Sequence, residues 1–188
     1  MAQSETELVQ AAIGGDAQAF NRLVILHREG AMLLAMRLVR NQADAEDLVQ
    51  DSFVKAWTEL HSFRGDSKFS SWLYRIVYNH ALNKLRIRKV RHFFRIGERD
   101  DDDESDAITI DTPSEELAPD EVVILNERRE LLDKAIKSLP TKQRIVFLMR
   151  HEQGLSNAEI AEITGKSEGS VKANFSFAVA KLKQVLEE

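Results

Sequence analysis

The chain has 188 residues, 43% hydrophobic and 30% charged, which suits one domain or two small ones with a soluble surface. It has no cysteine, which excludes disulfides, thiolate metal sites and a cysteine nucleophile, and fits a reducing cytoplasm. Its net charge of −5 conceals opposed blocks: residues 61–99 hold 10 Lys/Arg against 2 Asp/Glu, and residues 100–130 hold 2 against 13. The N-terminus, MAQSETELVQ, is polar and acidic and does not read as a secretory signal. The apolar runs at 31–36 and 145–149 stop at Arg37 and Arg150. Neither approaches the roughly 20 apolar residues a membrane span needs, so no membrane insertion is expected.

In chain order, Leu8, Ala12 and Ile13 predict a short first helix closed by Gly14-Gly15. Asp16 is a good N-cap for the next. Phe20, Leu23, Val24, Leu26 and His27 give that helix an apolar face, Gly30 interrupts it, and Met32, Leu34, Ala35, Leu38 and Val39 resume the pattern. After a break at Asn41-Gln42, Asp44 is the expected cap of a helix through His61, with Leu48, Phe53, Val54, Trp57 and Leu60 as its buried stripe. The outer face of that helix offers Glu46, Asp47, Gln50 and Asp51. Acids in a first turn complement the helix dipole, which accounts for Asp44 and Glu46 better than for the deeper Gln50 and Asp51.

The next stretch, Phe63 to Arg91, interleaves Phe63, Phe69, Trp72, Tyr74 and Tyr78 with eight cations and a single acid, Asp66. Flat faces for bases and charges for phosphates are what a single-stranded nucleic acid requires. Part of the set also falls at helical spacing, so one face is read as core and the other as a binding surface. Trp72 belongs to the core on this reading, and Phe63, which begins a Gly- and Ser-containing loop, is the best candidate to stack on a base.

The run RDDDDESDAITIDTPSEELAPDE has two prolines, many acids and little to bury, and reads as a flexible acidic linker, with 107–112 alternating like an isolated strand. It is a poor calcium loop: counting from Asp100, the sixth position is Ser105 instead of Gly and the twelfth is Asp111 instead of Glu. Helix resumes near Asp120 through Leu131, Leu132, Ala135, Ile136 and Leu139, and Pro140 stops it. Thr141 is the expected cap of a helix through Ile145–Met149, which Gly154 ends. Ser156 with Glu159 forms a capping box, Gly165 makes a tight turn, and Ser167 caps a last helix whose stripe is Val171, Phe175, Ala178, Leu182 and Val185. Two helices on a short Gly-containing turn make a helix-turn-helix pattern, although an ordinary αα-hairpin shares it. The face opposite the stripe, which would enter a major groove, holds Gly169, Ala173, Ser176 and Phe177, flanked by Ser170 and Lys172. The five histidines lack metal-ligand spacing, and no Ser-His-acid set or phosphate loop is present, so no metal, cofactor or enzymatic activity is expected.

Taken together, DAEDLVQDSFVKAW, FRGDSKFSSWLYRIVYN, Leu139-Pro140 and GLSNAEIAEITGKSEGSVK resemble, in this order, the extracytoplasmic-function (ECF) group of bacterial RNA polymerase sigma factors. The resemblance implies an all-α chain of two small helical domains: 1–92 for core polymerase binding and minus-ten recognition and melting, and 121–188 for minus-thirty-five recognition by helix-turn-helix. An acidic linker at 93–120 would join them. Carried over position by position, it implies polymerase binding by Asp47, Gln50 and Asp51. It implies minus-ten contacts by Phe63, Arg64, Ser67, Lys68, Phe69, Arg75, Asn79 and Asn83, and minus-thirty-five contacts by Arg150, Ser170, Lys172, Ala173, Asn174, Ser176 and Phe177. Asn174, Ser176 and Phe177 depart from the basic or larger polar residues many members carry there. The implied partners are core RNA polymerase, duplex and melted promoter DNA, and an anti-sigma factor. A free-standing helix-turn-helix regulator is the rival reading, and it would not need the aromatic–basic stretch; a nucleic-acid enzyme would need a carboxylate cluster on an ordered element.

Overall fold

A computed structural model describes residues 3–94, 131–132 and 134–187, with only the backbone of 89–94 and of 187. Among the described residues there is helix and no strand. The helices are α1 (Glu5–Ile13), α2 (Ala17–Val39), α3 (Gln42–Glu59), a 3₁₀ turn (Leu60–Ser62), α4 (Phe69–Phe94), a helical piece over 134–138, α5 (Thr141–His151), α6 (Asn157–Thr164) and α7 (Glu168–Glu187). The acidic run, the strand-like 107–112 and the helix expected from about Asp120 lie outside the described residues up to 130.

Local chemistry sets most boundaries. Ser4 and Glu7 form a capping box at α1, Asp16 Oδ1 accepts from Gln18 and Ala19 at α2, and Ser156 with Glu159 closes a second box at α6. Gly165 ends α6 at φ 65°, the left-handed region that glycine occupies without strain, and the chain turns there into α7. Two expected caps move. Asn41, not Asp44, caps α3, its side chain accepting from Asp44 N–H at 2.9 Å. Pro140, not Thr141, holds the cap position of α5 and offers no side-chain bond.

Gly30 does not interrupt α2, which is continuous. A Cβ built there would lie 2.2 Å from the Tyr74 hydroxyl, so the missing side chain is a notch that admits a neighbouring helix. Several residues assigned to apolar faces lie outside: Leu26 is 58% exposed, Val54 60%, Trp57 38% and Val185 40%. On α3 the inner face is already filled by Ala45, Leu48, Val49, Ser52, Phe53 and Ala56, and Val54 sits about 100° around from Phe53. Trp57, at the edge of the same helix, meets Phe20 at a tilt of 53°, with centroids 4.9 Å apart.

α2 packs against α1, α3 and α4, while α5 packs against α7. The two halves also touch, α4 against α6 and α2 against α5. One continuous core therefore runs from Leu23, Leu73 and Val77 into Met149, Ile160 and Val171. A smaller core gathers Ala135, Ile136, Leu139, Phe147, Leu148, Ala178 and Leu182.

Candidate nucleic-acid interface

Three surfaces carry the residues singled out from the sequence. The first is the outer side of α3, where Asp47, Gln50 and Asp51 are all exposed. Spacings of three and four put Asp47, Gln50 and Asp51 on one face. Lys84 of α4 pairs mainly with Asp44, at 2.7 Å, and reaches Asp47 only at 3.9 Å, which leaves the Asp47 side chain 74% exposed.

The second surface is the loop before α4 and the outer line of α4. Arg75, Asn79 and Asn83 recur every fourth residue, and Asn79 and Asn83 are exposed. Arg64 and Lys68 are exposed in the loop, with Ser67 half-buried. Phe63 is half-buried, its ring 5.4 Å from Trp72 and 6.0 Å, edge-on, from Phe69. Phe69 is 3% exposed, wedged among Phe63, Trp72 and His27, so its ring offers no free face to a base. Burying it there anchors the loop, which is a packing role. Trp72 lies half-buried against the core, as expected.

Two cations of this surface already have partners from the C-terminal half. Arg75 Nη2 lies 2.5 Å from Glu162 Oε1, and Lys68 Nζ 3.1 Å from Glu159 Oε1. Ser71, fully buried, donates to Glu159 at 3.4 Å. Glu159 accepts from the backbone N–H and hydroxyl of Ser156, and these bonds, with Lys68 adding to them against the cost of burial, hold its carboxyl down at about 2. Further along the same contact Arg37 pairs with Glu152 at 2.7 Å, and Gln153 donates to the Gly30 carbonyl at 2.9 Å. Sequence reading found Glu159 as a cap only; Arg37, Glu152, Gln153 and Glu162 went unnoticed because their partners lie 87–123 residues away.

The third surface is α7 with the end of α5. Lys172, Ala173, Ser176 and Phe177 are exposed, Phe177 at 62%. Asn174 is half-buried and spends its amide on the Ser170 carbonyl one turn back, at 2.7 Å. Ser170 is half-buried beside it. Arg150 is exposed, donates at 3.3 Å to Asn157 Oδ1 and lies 5.4 Å from the Phe175 ring centroid. Among the described residues no three His, Asp or Glu side chains gather as a metal site would require, and no helix is long and apolar enough to cross a membrane.

Comparison with known proteins shows the family. The family "Sigma-70 region 2" matches residues 23–91 and "Sigma-70, region 4" matches residues 129–182. The ECF RNA polymerase sigma-E factor of Salmonella typhimurium is 36% identical over 172 residues, covering 88% of this chain and 85% of that one. The chain belongs to the ECF sigma factors. As a sigma factor it is a non-enzymatic initiation subunit that binds core RNA polymerase and directs it to promoter DNA. The RNA polymerase sigma-H factor of Pseudomonas aeruginosa is 31% identical across 91% of this sigma factor and 88% of its own length. Among solved structures, CnrH in complex with the cytosolic domain of CnrY superimposes with a TM-score of 0.65 at 26% identity, covering 96% of this chain and 95% of CnrH. The sigma factor RpoE of Bartonella quintana, solved with the anti-sigma factor NepR, shares the fold at a TM-score of 0.73 and 24% identity, over 91% of this chain and 98% of its own. The all-α class, with a helix-turn-helix at the C-terminal end, agrees with both.

Proposed function

We propose that the three surfaces divide the sigma factor's work between two units, 1–92 and 121–188, joined through 93–120. Asp47, Gln50 and Asp51 bind core polymerase. Phe63, Arg64, Ser67, Lys68, Arg75, Asn79 and Asn83 hold the minus-ten element and its melted strand. Arg150, Ser170, Lys172, Ala173, Ser176 and Phe177 face the minus-thirty-five element, with Asn174 stiffening the helix from within. The observation that carries this reading is the line Arg75–Asn79–Asn83 on α4, half-buried at Arg75 and exposed at the two asparagines: a guanidinium for phosphate followed by two amides that can donate and accept at base edges. Opening duplex DNA costs roughly 1.4 kcal/mol per base-pair step, and holding exposed bases of one strand offsets it. The site of action is the cytoplasm, where the polymerase works. CnrH was solved with the cytosolic domain of CnrY bound, and a protein partner is proposed for this chain too, an anti-sigma factor as the family resemblance implies.

Transcription from a candidate promoter by core polymerase, with and without this chain, tests the role as a whole. Asp47→Ala with Asp51→Ala should weaken capture of core polymerase without loss of fold. Asn79→Ala should leave capture intact and reduce permanganate-reactive thymines near the start site. Undiminished capture in the first, or wild-type thymine reactivity in the second, would remove the corresponding assignment.

A further inference from the structure

The outward face of α7 carries a line of residues that packing does not use. Gly169, Ala173 and Phe177 recur every fourth residue, so they lie one above another along the helix. All three are exposed, and Phe177, at 62%, belongs to neither core. Phe175, about 200° around the helix from it, is the aromatic that faces inward: it stacks on Phe147 at 6.1 Å and lies under the Arg150 guanidinium. A Cβ built on Gly169 would meet nothing within 4 Å. No described neighbour requires glycine there, although alanine would favour the helix, so the bare backbone leaves room for something outside the chain. Hydrogen-bonding side chains on this face are few. α7 contains no arginine, Asn174 donates its amide to the Ser170 carbonyl at 2.7 Å, and Ser170 is half-buried beside it. Lys172 flanks the line, and Ser176 keeps an exposed hydroxyl.

Among the base edges of the major groove, thymine alone offers a methyl group, and an apolar side chain is its complement. We infer that Phe177, with Ala173 one turn before it, reads thymine methyl groups in the minus-thirty-five element, and that Gly169 lets the helix sit deep enough for the ring to reach them. This rests on the assignment of the α7 face to that element. The ring neither donates nor accepts a conventional hydrogen bond, so the methyl group is what it senses. Uracil, which pairs as thymine does and lacks only that methyl, is the discriminating substitute. Such a contact removes apolar surface from water and is insensitive to counterions, unlike a phosphate contact of Lys172. Base choice and salt-dependent affinity therefore rest on different side chains of one helix.

The full chain bound to core polymerase first selects a promoter from a pool of duplexes of random sequence. The selected duplex is then remade with deoxyuridine in place of one thymine of the minus-thirty-five element at a time. Gel-shift affinities at fixed salt are compared for the wild type and Phe177→Ala, a change at an exposed position that should leave the fold intact. The wild type should lose affinity about fourfold at one or two of the thymines, the size that one buried methyl group carries. The loss should vanish in Phe177→Ala, the coupling that a double-mutant cycle finds between groups in contact. A selected element without thymine overturns the inference, as do deoxyuridines that cost the wild type nothing or that cost Phe177→Ala as much as the wild type. Lys172→Ala separates this failure from that of the underlying assignment. If Lys172→Ala weakens binding and lowers the salt slope by about one while deoxyuridine has no effect, the α7 face meets DNA without reading methyl groups. If neither change has any effect, the face does not meet the element and both readings fall.

Discussion

Glu159 shows how one side chain serves two levels of structure. Its carboxylate closes the cap of α6 through Ser156 and also faces Lys68 and Ser71 across the interface. Its pKa is lowered from 4.5 to about 2, so its contribution is complete above pH 4.5 and is lost as pH falls through about 2. Acidification within the neutral range therefore does not release it. Ser156→Ala removes the hydroxyl bond that helps lower this pKa and should raise the titration of the Glu159 carboxyl, at a cost of about 1 kcal/mol for the lost cap. Carboxyl-carbon NMR shifts against pH check this; an unmoved midpoint would show that the Ser156 backbone N–H, which alanine keeps, governs the carboxylate instead. Phe63 is equally double. It packs on Trp72 and Phe69, and such ring pairs contribute about 0.5–1.5 kcal/mol beyond their buried area. Phe63→Ala should thus lower the melting temperature as well as promoter opening, whereas Asn79→Ala, exposed and without a ring partner, should lower opening alone.

At the level of helices, what sequence could reveal followed what is local. The caps at Asp16, Ser156 and Ser167, the stop at Gly165 and most of the α7 stripe depend on neighbours within four residues and are present: Val171, Ala178 and Leu182 are buried and Phe175 half-buried, while Val185, the last of the stripe, is exposed. The failures are those that periodicity cannot resolve. Val54 and Leu26 are apolar, yet the inner faces of their helices were already filled, so apolarity alone misassigned them. Gly30 read as a breaker because its reason, the Tyr74 hydroxyl on another helix, is not in its own segment. The assignment of Phe69 to DNA failed in the same way: the aromatic–basic pattern does not say which ring turns inward. On α4, Leu73 is fully buried at the centre of the main core, so Leu73→Ala should destabilise by about 2–5 kcal/mol in urea unfolding. On α7, Lys172 is exposed on the outer face; Lys172→Ala should weaken promoter binding across sequences and reduce the salt slope by about one. An unchanged slope would turn that face away from DNA.

For the molecule as a whole, the closeness of the halves depends on small features at the interface. Gly30→Ala brings a methyl against the Tyr74 hydroxyl and to 3.4 Å from Gln153 Oε1. Alanine favours the helix by about 1 kcal/mol over glycine, so the substitution should leave α2 intact and yet loosen the docking. Small-angle scattering should then show a larger radius of gyration with helical content unchanged; an unaltered radius would mean that Tyr74 rotates away and the notch is dispensable. The placement of the aromatic residues has a spectroscopic consequence. Both tryptophans, Trp57 and Trp72, lie in the N-terminal half, and the helix-turn-helix half has none. Fluorescence excited at the tryptophan edge is therefore blind to the C-terminal half, whereas far-ultraviolet circular dichroism sees the helices of both. If the shared core makes the chain one cooperative unit, the two signals trace a single denaturation curve, and in an opened variant they part into two.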